Sequence, residues 1–283
     1  MSVKDLRNLA GAEGPGLWRL PLPSPTLPPA TTTNHYLVGD DRAVLVDPAT
    51  PGNQAQAALQ QWVAQARAGK IQLVAQLLTH HHRDHIGAAE FVRTTLQLPI
   101  WAHRSTAELL ADRLQVDQWI DDGAVVATNR DGSPWRALHT PGHAPGHLAI
   151  WHAASRQAVV GDLVAGQGTI LIDPSDGHMG LYLASLQRMA DLQPRTLAPA
   201  HGPVQHQAVE LLQHYRRHRL AREAGILRAL SATPQQPADL LPAAYADVPR
   251  TTWPLALRSL TTHLLHLQEQ GLAEATATGW RRL

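Results

Sequence analysis

The segment Thr79-His80-His81-His82-Arg83-Asp84-His85-Ile86 places four histidines and an aspartate within six residues, directly after the apolar run 73–78. Imidazoles and carboxylates at this density are costly to bury unpaired, and the imidazoles repel one another when protonated. A bound cation relieves both problems. The spacing His-x-His-x-Asp-His therefore reads as a metal-binding loop that leaves a buried strand. On such a loop His80 and His82 can face one point, and Asp84 and His85 a second point beside it. The alternative is a solvated polar loop.

Further ionisable groups follow apolar runs later in the chain. His143 lies in "TPGHAPGH" after the run "WRALHT", Asp162 ends "QAVVGD", and His201 lies in "LAPAHG". With the first cluster they supply five histidines and two aspartates. The chain has 17 histidines and a single Phe, so the histidine surplus has an address. It has no cysteine, which removes disulfides, thiolate ligands and a cysteine nucleophile together.

These groups need strands and turns to hold them. The sequence predicts an extended Pro-rich arm over 21–33, two short strands in "NHYLVGDDRAVLVDPA", a helix over 53–68 and a buried strand over 73–78. Helices over 86–97 and 104–114 flank a strand in "LPIWAH". Residues 124–162 read as four strands, 179–192 as an amphipathic helix, and "RTLAPAHG" as a last strand and loop. The order suggests two mixed halves with helices outside a pair of sheets. After Gly202 the pattern becomes a long helix over 204–230, two further helices and a terminal hairpin, which together suggest a winged-helix module. The expected division is 1–208 for the catalytic domain and 209–283 for the winged-helix-like domain.

Length and composition set bounds. The 283 residues, 44% of them hydrophobic, suffice for a large domain and a small one. The net charge of +1 gives no global pull toward nucleic acid or membrane. The first twenty residues lack the apolar core of a secretory signal, and no run approaches a membrane span. The expected location is the cytoplasm.

The ordered set "HHHRDH", "TPGH", "GD" and "AHG" resembles the metallo-β-lactamase superfamily, over about residues 15–205. The resemblance implies an α/β fold, the αββα sandwich, here followed by the winged-helix-like domain. It implies two metal ions: His80, His82 and His143 on the first, Asp84, His85 and His201 on the second, and Asp162 bridging them. Nitrogen and oxygen donors without sulfur suit zinc, with iron or manganese acceptable. The implied chemistry is attack by metal-bound hydroxide, with Asp84 and Asp162 as the catalytic carboxylates and Asp84 also able to steer or shuttle a proton. Asn34 and Asp47 stand where the superfamily keeps residues near the floor of the site. Asp47 either bonds the ligand loop or caps the turn before Pro48. His147 either braces the loop of His143 or makes a plain strand-end hydrogen bond.

The stretch "GDLVAGQGTILIDPSDGHMGLYLASLQRM" and the tail are similar to the lactamase-beta-2-like subfamily. That subfamily includes an endoribonuclease for single-stranded RNA and relatives that hydrolyse thioesters. Its members usually carry an acid just before the Met of the "GHM" segment; here that residue is His178, placed with Tyr182 at the expected substrate rim. Residues 203–283 carry nine Arg and six Asp or Glu, a net of +3, which is mild for DNA binding. A wall of the substrate cleft or a homodimer contact suits the tail better. The leading expectation is a zinc-dependent hydrolase of thioesters or other small acyl esters. The rivals are an endoribonuclease on single-stranded RNA and a non-enzymatic winged-helix binding protein with a vestigial site. The intact seven-ligand set counts against the last.

Overall fold

The computed structural model describes residues 11–283; the reading of residues 1–10 as lacking a signal core lies outside them. The described residues fall into two compact units. One runs through Thr140 and adds Gly146–Thr169 and Leu192–Val209. The other comprises Pro141–Pro145, Ile170–Asp191 and Glu210–Leu283.

The first unit is a continuous twelve-stranded sheet. Its strands are β1 (Gly11–Gly14), β2 (Leu17–Pro23), β3 (Thr32–Val38), β4 (Arg42–Val46), β5 (Gln72–Leu77), β6 (Ile100–Ala102), β7 (Gln118–Trp119), β8 (Val125–Thr128), β9 (Pro134–His139), β10 (Leu148–His152), β11 (Gln157–Gly161) and β12 (Thr196–Pro199). β1 to β5 form one half, extended by β6 and β7, and β8 to β12 the other. The halves join where Arg42 of β4 pairs with Thr128 of β8. Four helices belong to this unit: α1 (Asn53–Ala68), α2 (Arg83–Ile86), α3 (Ala89–Leu96) and α4 (Arg104–Leu110).

Side-chain alternation explains the layers. Tyr36, Val38, Val44 and Val46 point to one face of β3 and β4. There they meet Trp135, Ala137, Leu148, Ile150, Val159 and Ala198 from the other half in a shared core. Leu37 and Leu45 point the opposite way, onto Leu59, Trp62 and Val63 of α1 and Val92 of α3. A period of two in the strands thus meets a period of 3.6 in the helices. The arm expected over 21–33 is shorter than that, because Pro21–Pro23 complete β2 and Thr32 opens β3. The sequence reading missed β1 and β2, where Gly and Pro interrupt the alternation.

The second unit contains α5 (Met179–Asp191), α6 (Ala208–Ala229), α7 (Pro237–Ala244), α8 (Trp253–Glu269) and the hairpin of β13 (Ala273–Thr276) and β14 (Gly279–Arg282). Ile226, Leu240, Leu241, Leu260, Leu264, Ala273 and Trp280 pack into one core, which closes three helices and the hairpin around each other. Among the described residues, no helix is long and apolar enough to cross a membrane.

One buried polar cluster tunes this second core. Glu223 accepts hydrogen bonds from His263 Nδ1 at 3.2 Å and His266 Nδ1 at 2.7 Å. Burial pushes His263 down to about 4, against the pull of Glu223. Burial alone would raise Glu223, but the two histidine hydrogen bonds outweigh it and hold the carboxyl below its usual range. A histidine whose folded pKa is depressed takes up its proton more readily in the unfolded chain, so stability drains as pH falls from 6.5 toward about 4. Glu223 adds a loss of the same sign as pH falls below 4.5. Thermal melts between pH 7 and 4 should show a falling melting temperature, and His263→Gln should flatten the upper part of that slope. An unchanged slope in the variant would remove His263 from this account.

Candidate metal centre

The donors of the first unit, and Asp47 that orients them, lie beyond the C-terminal ends of strands. Asp47 follows β4, His80 and His82 follow β5, Asp84 and His85 occupy the short α2, Asp162 follows β11, and His201 follows β12. β4 runs parallel to β5, and β11 runs parallel to β12, so their carbonyl ends open on one rim. The two halves are tied there by hydrogen bonds from Leu148 N to Thr79 O and from Asn34 N to Ala200 O, and Ala200 N in turn bonds Gly161 O within the second half. Gly161 turns with φ +47, and a Cβ at that position would lie 2.6 Å from His147 Nε2, so the turn requires glycine.

Donor atoms converge at this rim. His80 Nε2 and His82 Nδ1 are 3.0 Å apart. His80, His85 and Asp162 form one group whose ligand atoms lie within 4.8 Å of one another, and Asp84, His85 and His201 form another. His85 Nε2 lies 3.6 Å from Asp162 Oδ2. His201 Nε2 lies 3.4 Å from both Asp84 Oδ2 and Asp162 Oδ1.

The opposite ring nitrogens explain why these atoms face inward. Thr79 Oγ1 donates to Asp47 Oδ2 at 2.7 Å and accepts from His80 Nδ1 at 3.0 Å. Asp47 Oδ2 accepts from His85 Nδ1 at 2.9 Å, and its Oδ1 accepts from Thr79 N at 2.7 Å. The Thr32 carbonyl accepts from His201 Nδ1 at 3.1 Å. In the second unit the Leu171 carbonyl accepts from His143 Nδ1 at 2.9 Å. Each tether fixes the tautomer with Nε2 left as a ligand atom. His85 Nε2 is buried and has no hydrogen-bond partner, a state that costs energy unless an ion takes it up. The residues therefore fit a metal ion.

The electrostatics agree. Burial disfavours charge on His85, yet Asp162 and Asp47 outweigh it and raise its pKa well above the usual value. His201 is pushed up to about 10 by Asp162 and Asp84 against burial. Burial would raise Asp84 and Asp162; the facing histidines instead hold both well below the usual carboxylate range. Protons on these imidazoles balance the carboxylates, and a cation would displace them.

The remaining residues expected at the site fall into two groups. Asn34 is buried and donates through Nδ2 to the carbonyls of Pro199 (2.8 Å) and Gly202 (2.7 Å), which bracket His201. Asp47 bonds the ligand loop rather than merely capping the turn before Pro48. His147 serves two loops: its Nδ1 bonds Thr140 Oγ1 at 2.8 Å, which joins the two residues flanking the 141–146 segment that carries His143, and its Nε2 accepts the Asp162 N–H at 3.0 Å. In the second unit, Tyr182 is fully buried beneath the Arg219 guanidinium and against Gly142, so it is a packing residue and not a rim residue. His178 lines a shallow cleft with Met179, Thr262 and Leu265, and its Nε2 lies 3.2 Å from Glu269 Oε1. Sequence reasoning missed Thr79 and Tyr36; the Tyr36 hydroxyl donates to the Pro199 carbonyl at 2.8 Å. The signal for Thr79 was its place between the strand and the first histidine.

Residues 28–201 match the metallo-beta-lactamase superfamily. The chain belongs to that superfamily. Residues 237–280 match the beta-lactamase associated winged helix domain. A beta-lactamase-like protein 2 homolog of Caenorhabditis elegans is 29% identical over 86% of this chain and 80% of its own length. An atrochrysone carboxyl ACP thioesterase of Aspergillus chevalieri is 33% identical over 72% of this chain and 62% of its own length. The crystal structure of a metallo-beta-lactamase family protein from Thermus thermophilus superposes with a TM-score of 0.77 at 24% identity, covering 96% of this chain and all of that one. The fold is thus the superfamily's mixed α/β fold followed by a winged helix, and the donor cluster is compatible with its metal site.

Because Asp47 orients His85 and Thr79 together, Asp47→Ala should weaken metal binding by about 10–100-fold, the usual range for an outer partner of a ligand. Titration of metal-stripped protein against a chromophoric chelator measures this, and an unchanged affinity would show that His85 needs no orienter. Stripping the metal from the native protein should also lower its melting temperature, because binding stabilises only the folded chain.

Proposed function

We propose that the protein is a two-metal hydrolase acting on a thioester or another small acyl ester. His80, His82 and His143 would hold one ion, Asp84, His85 and His201 the other, and Asp162 would bridge them. When bound, the ions supply Lewis-acid chemistry: an activated water at neutral pH and positive charge where an oxyanion develops. Zinc suits this donor set, and iron or manganese would be tolerated.

The chain's own side chains do the rest. Asp47, Thr79, Thr32 and Leu171 aim the histidines, so little reorganisation accompanies the reaction. Asp84 is the more open of the two site carboxylates, with 19% of its side chain exposed against 10% for Asp162. It is therefore placed to accept a proton from the attacking water, while Asp162 stays fixed by the backbone bond to His147.

The observation that favours an acyl substrate over RNA is the fate of the arginines on α6. Arg219 is buried and donates to the Ile170 carbonyl. Arg222 stacks on Tyr245 and pairs in a fork with Asp247. Arg216, Arg217 and, three turns on, Arg228 remain exposed on that helix, which leaves a thin surface for a phosphate backbone. The thioesterase relative supports the same reading. The cytoplasm suits a soluble acyl substrate.

The test runs metal-loaded protein on a short acyl-CoA thioester and on labelled single-stranded RNA in parallel. Thioester hydrolysis is the expected result; cleavage of RNA alone would overturn the acyl reading. Asp162→Ala should abolish the activity and weaken metal binding by more than ~100-fold, beyond the range for an outer partner. Full activity in that variant would remove Asp162 from the bridging position.

A further inference from the structure

The aim of His85 depends on the Asp47 carboxylate, and the Asp47 backbone is unusual. Its φ is +49, the left-handed region that residues other than glycine seldom occupy, although aspartate tolerates it. The direction of the side chain follows from that φ. In this conformation Oδ1 accepts from Thr79 N, and Oδ2 accepts from both Thr79 Oγ1 and His85 Nδ1. A right-handed φ would swing Cβ, and the carboxylate with it, away from all three donors. Three hydrogen bonds hold the turn 47–49 in its present shape. Asp47 N donates to Leu77 O at 3.0 Å, and Ala88 N donates to Pro48 O at 2.7 Å. The third bond goes to a side chain: Ala49 N donates to His35 Nε2 at 3.0 Å.

His35 lies on β3 and is fully buried. The antiparallel register of β3 with β4 ends at the pair Tyr36 and Val46, so the next pair would set His35 opposite Asp47. The left-handed residue ends the ladder there, and the imidazole supplies the acceptor that the ladder no longer does. Burial pushes His35 down to about 4, so the ring is neutral and carries one N–H. Ala49 N can only donate, which makes Nε2 the bare nitrogen and puts the proton on Nδ1. That proton points at the carbonyls of Thr33 at 3.1 Å and Leu20 at 3.2 Å. Both ring nitrogens are thus spent on backbone, and neither is left for an ion. Without the ring, the N–H of the fully buried Ala49 would be stranded, and the turn would have to shift to pair it.

We propose that His35 is a positioning residue for the metal centre: by accepting the Ala49 N–H it locks the 47–49 turn with Asp47 left-handed, and so aims the Asp47 carboxylate at His85. This rests on the metal-centre reading above only in taking His85 as a ligand. The ion on His80 and His82 does not depend on it.

The experiment compares metal-stripped full-length wild type, His35→Gln, His35→Asn, Asp47→Ala and the double variant His35→Asn with Asp47→Ala. A glutamine amide reaches as far as Nε2 and offers an oxygen there, whereas an asparagine amide reaches only as far as Nδ1. Zinc uptake is followed by competition with a chromophoric chelator, and cobalt(II) absorption reports the geometry at each step. His35→Asn should weaken one of the two binding steps about tenfold and alter its cobalt spectrum, while His35→Gln should bind like wild type. In the Asp47→Ala background the asparagine exchange should cost nothing further. A further loss there, or equal weakening of both steps, would overturn the proposal by showing that His35 supports the fold rather than Asp47. Undisturbed binding in His35→Asn, or glutamine as weak as asparagine, would overturn it as well. Histidine nitrogen-15 shifts of the metal-free wild type need no variant: a His35 ring protonated at Nε2 would overturn the proposal, and the neutral Nδ1–H form is expected. A wild type that takes up a single ion would overturn the two-metal reading, and the same double-variant comparison on that ion would decide this proposal by itself.

Discussion

Four buried imidazoles, His80, His85, His143 and His201, are each held at Nδ1 by an acceptor that is not itself an ion ligand. That constraint governs the arrangement around them. A histidine tied at one nitrogen can present only the other, and in one direction. The acceptors must therefore be placed as accurately as the ligands. Thr79 and Asp47 lie at the ends of the parallel strands β5 and β4, and Thr32 opens β3. The sheet register thus fixes the tautomers of His80, His85 and His201, and through them the direction of their Nε2 atoms, while His143 takes its tether from the Leu171 carbonyl outside the sheet.

The sandwich gives these tethers their stiffness. Val44, Val46, Ala75 and Leu77 of one half pack against Leu148, Ile150 and Val159 of the other, and the same strands then deliver polar groups at their ends. Tight apolar packing a few residues away lets carboxylates and imidazoles stand close without being spread apart by repulsion. The exchange of the Asp162 N–H with His147, and the two carbonyls caught by Asn34, carry that stiffness into the loops. Asp84 and His85 differ from their neighbours because they sit on the one-turn α2 rather than directly on a strand end, and the Thr33 hydroxyl of β3 holds that turn by donating to the Asp84 carbonyl.

The donor residues that the fold brings together were legible in the sequence because metal ligation would need particular side-chain types after particular strands. His80, His82, Asp84, His85, Asp162 and His201 each follow an apolar run that any reader of period two would mark. The strands and helices were legible for the same reason, with α1 expected over the residues it occupies. The supporting partners were not. His147 stands four residues from His143 in "TPGHAPGH", and local reading finds its bond to Thr140 at the start of that loop; its second partner, Asp162 N, is set by the antiparallel pairing of β10 with β11. The Tyr36 hydroxyl carries no pattern, and the one signal for Thr79, its place before the first histidine, is weak because a threonine near a strand end is usual wherever strands end. Tyr182 misleads in the other direction: a polar tip on an amphipathic helix suggests a cleft, but Gly142 and Arg219 enclose it. The β1–β2 pair escaped because Gly and Pro hide its alternation.

The clamp that Asn34 and Tyr36 place on the His201 loop spans most of the catalytic unit's chain. On a ribosome, β3 and the His80–His85 loop emerge long before β12. At ordinary elongation speeds the gap from His85 to His201 is on the order of ten seconds. A nascent chain in that interval exposes His80, His82, Asp84 and His85 without the carboxylate and imidazole that complete the set. That partial set offers an ion fewer donors and no closed rim. The donor set is complete only once Pro199 and Gly202 reach the waiting amide of Asn34, so any ion it holds is selected by the folded chain rather than by the nascent one.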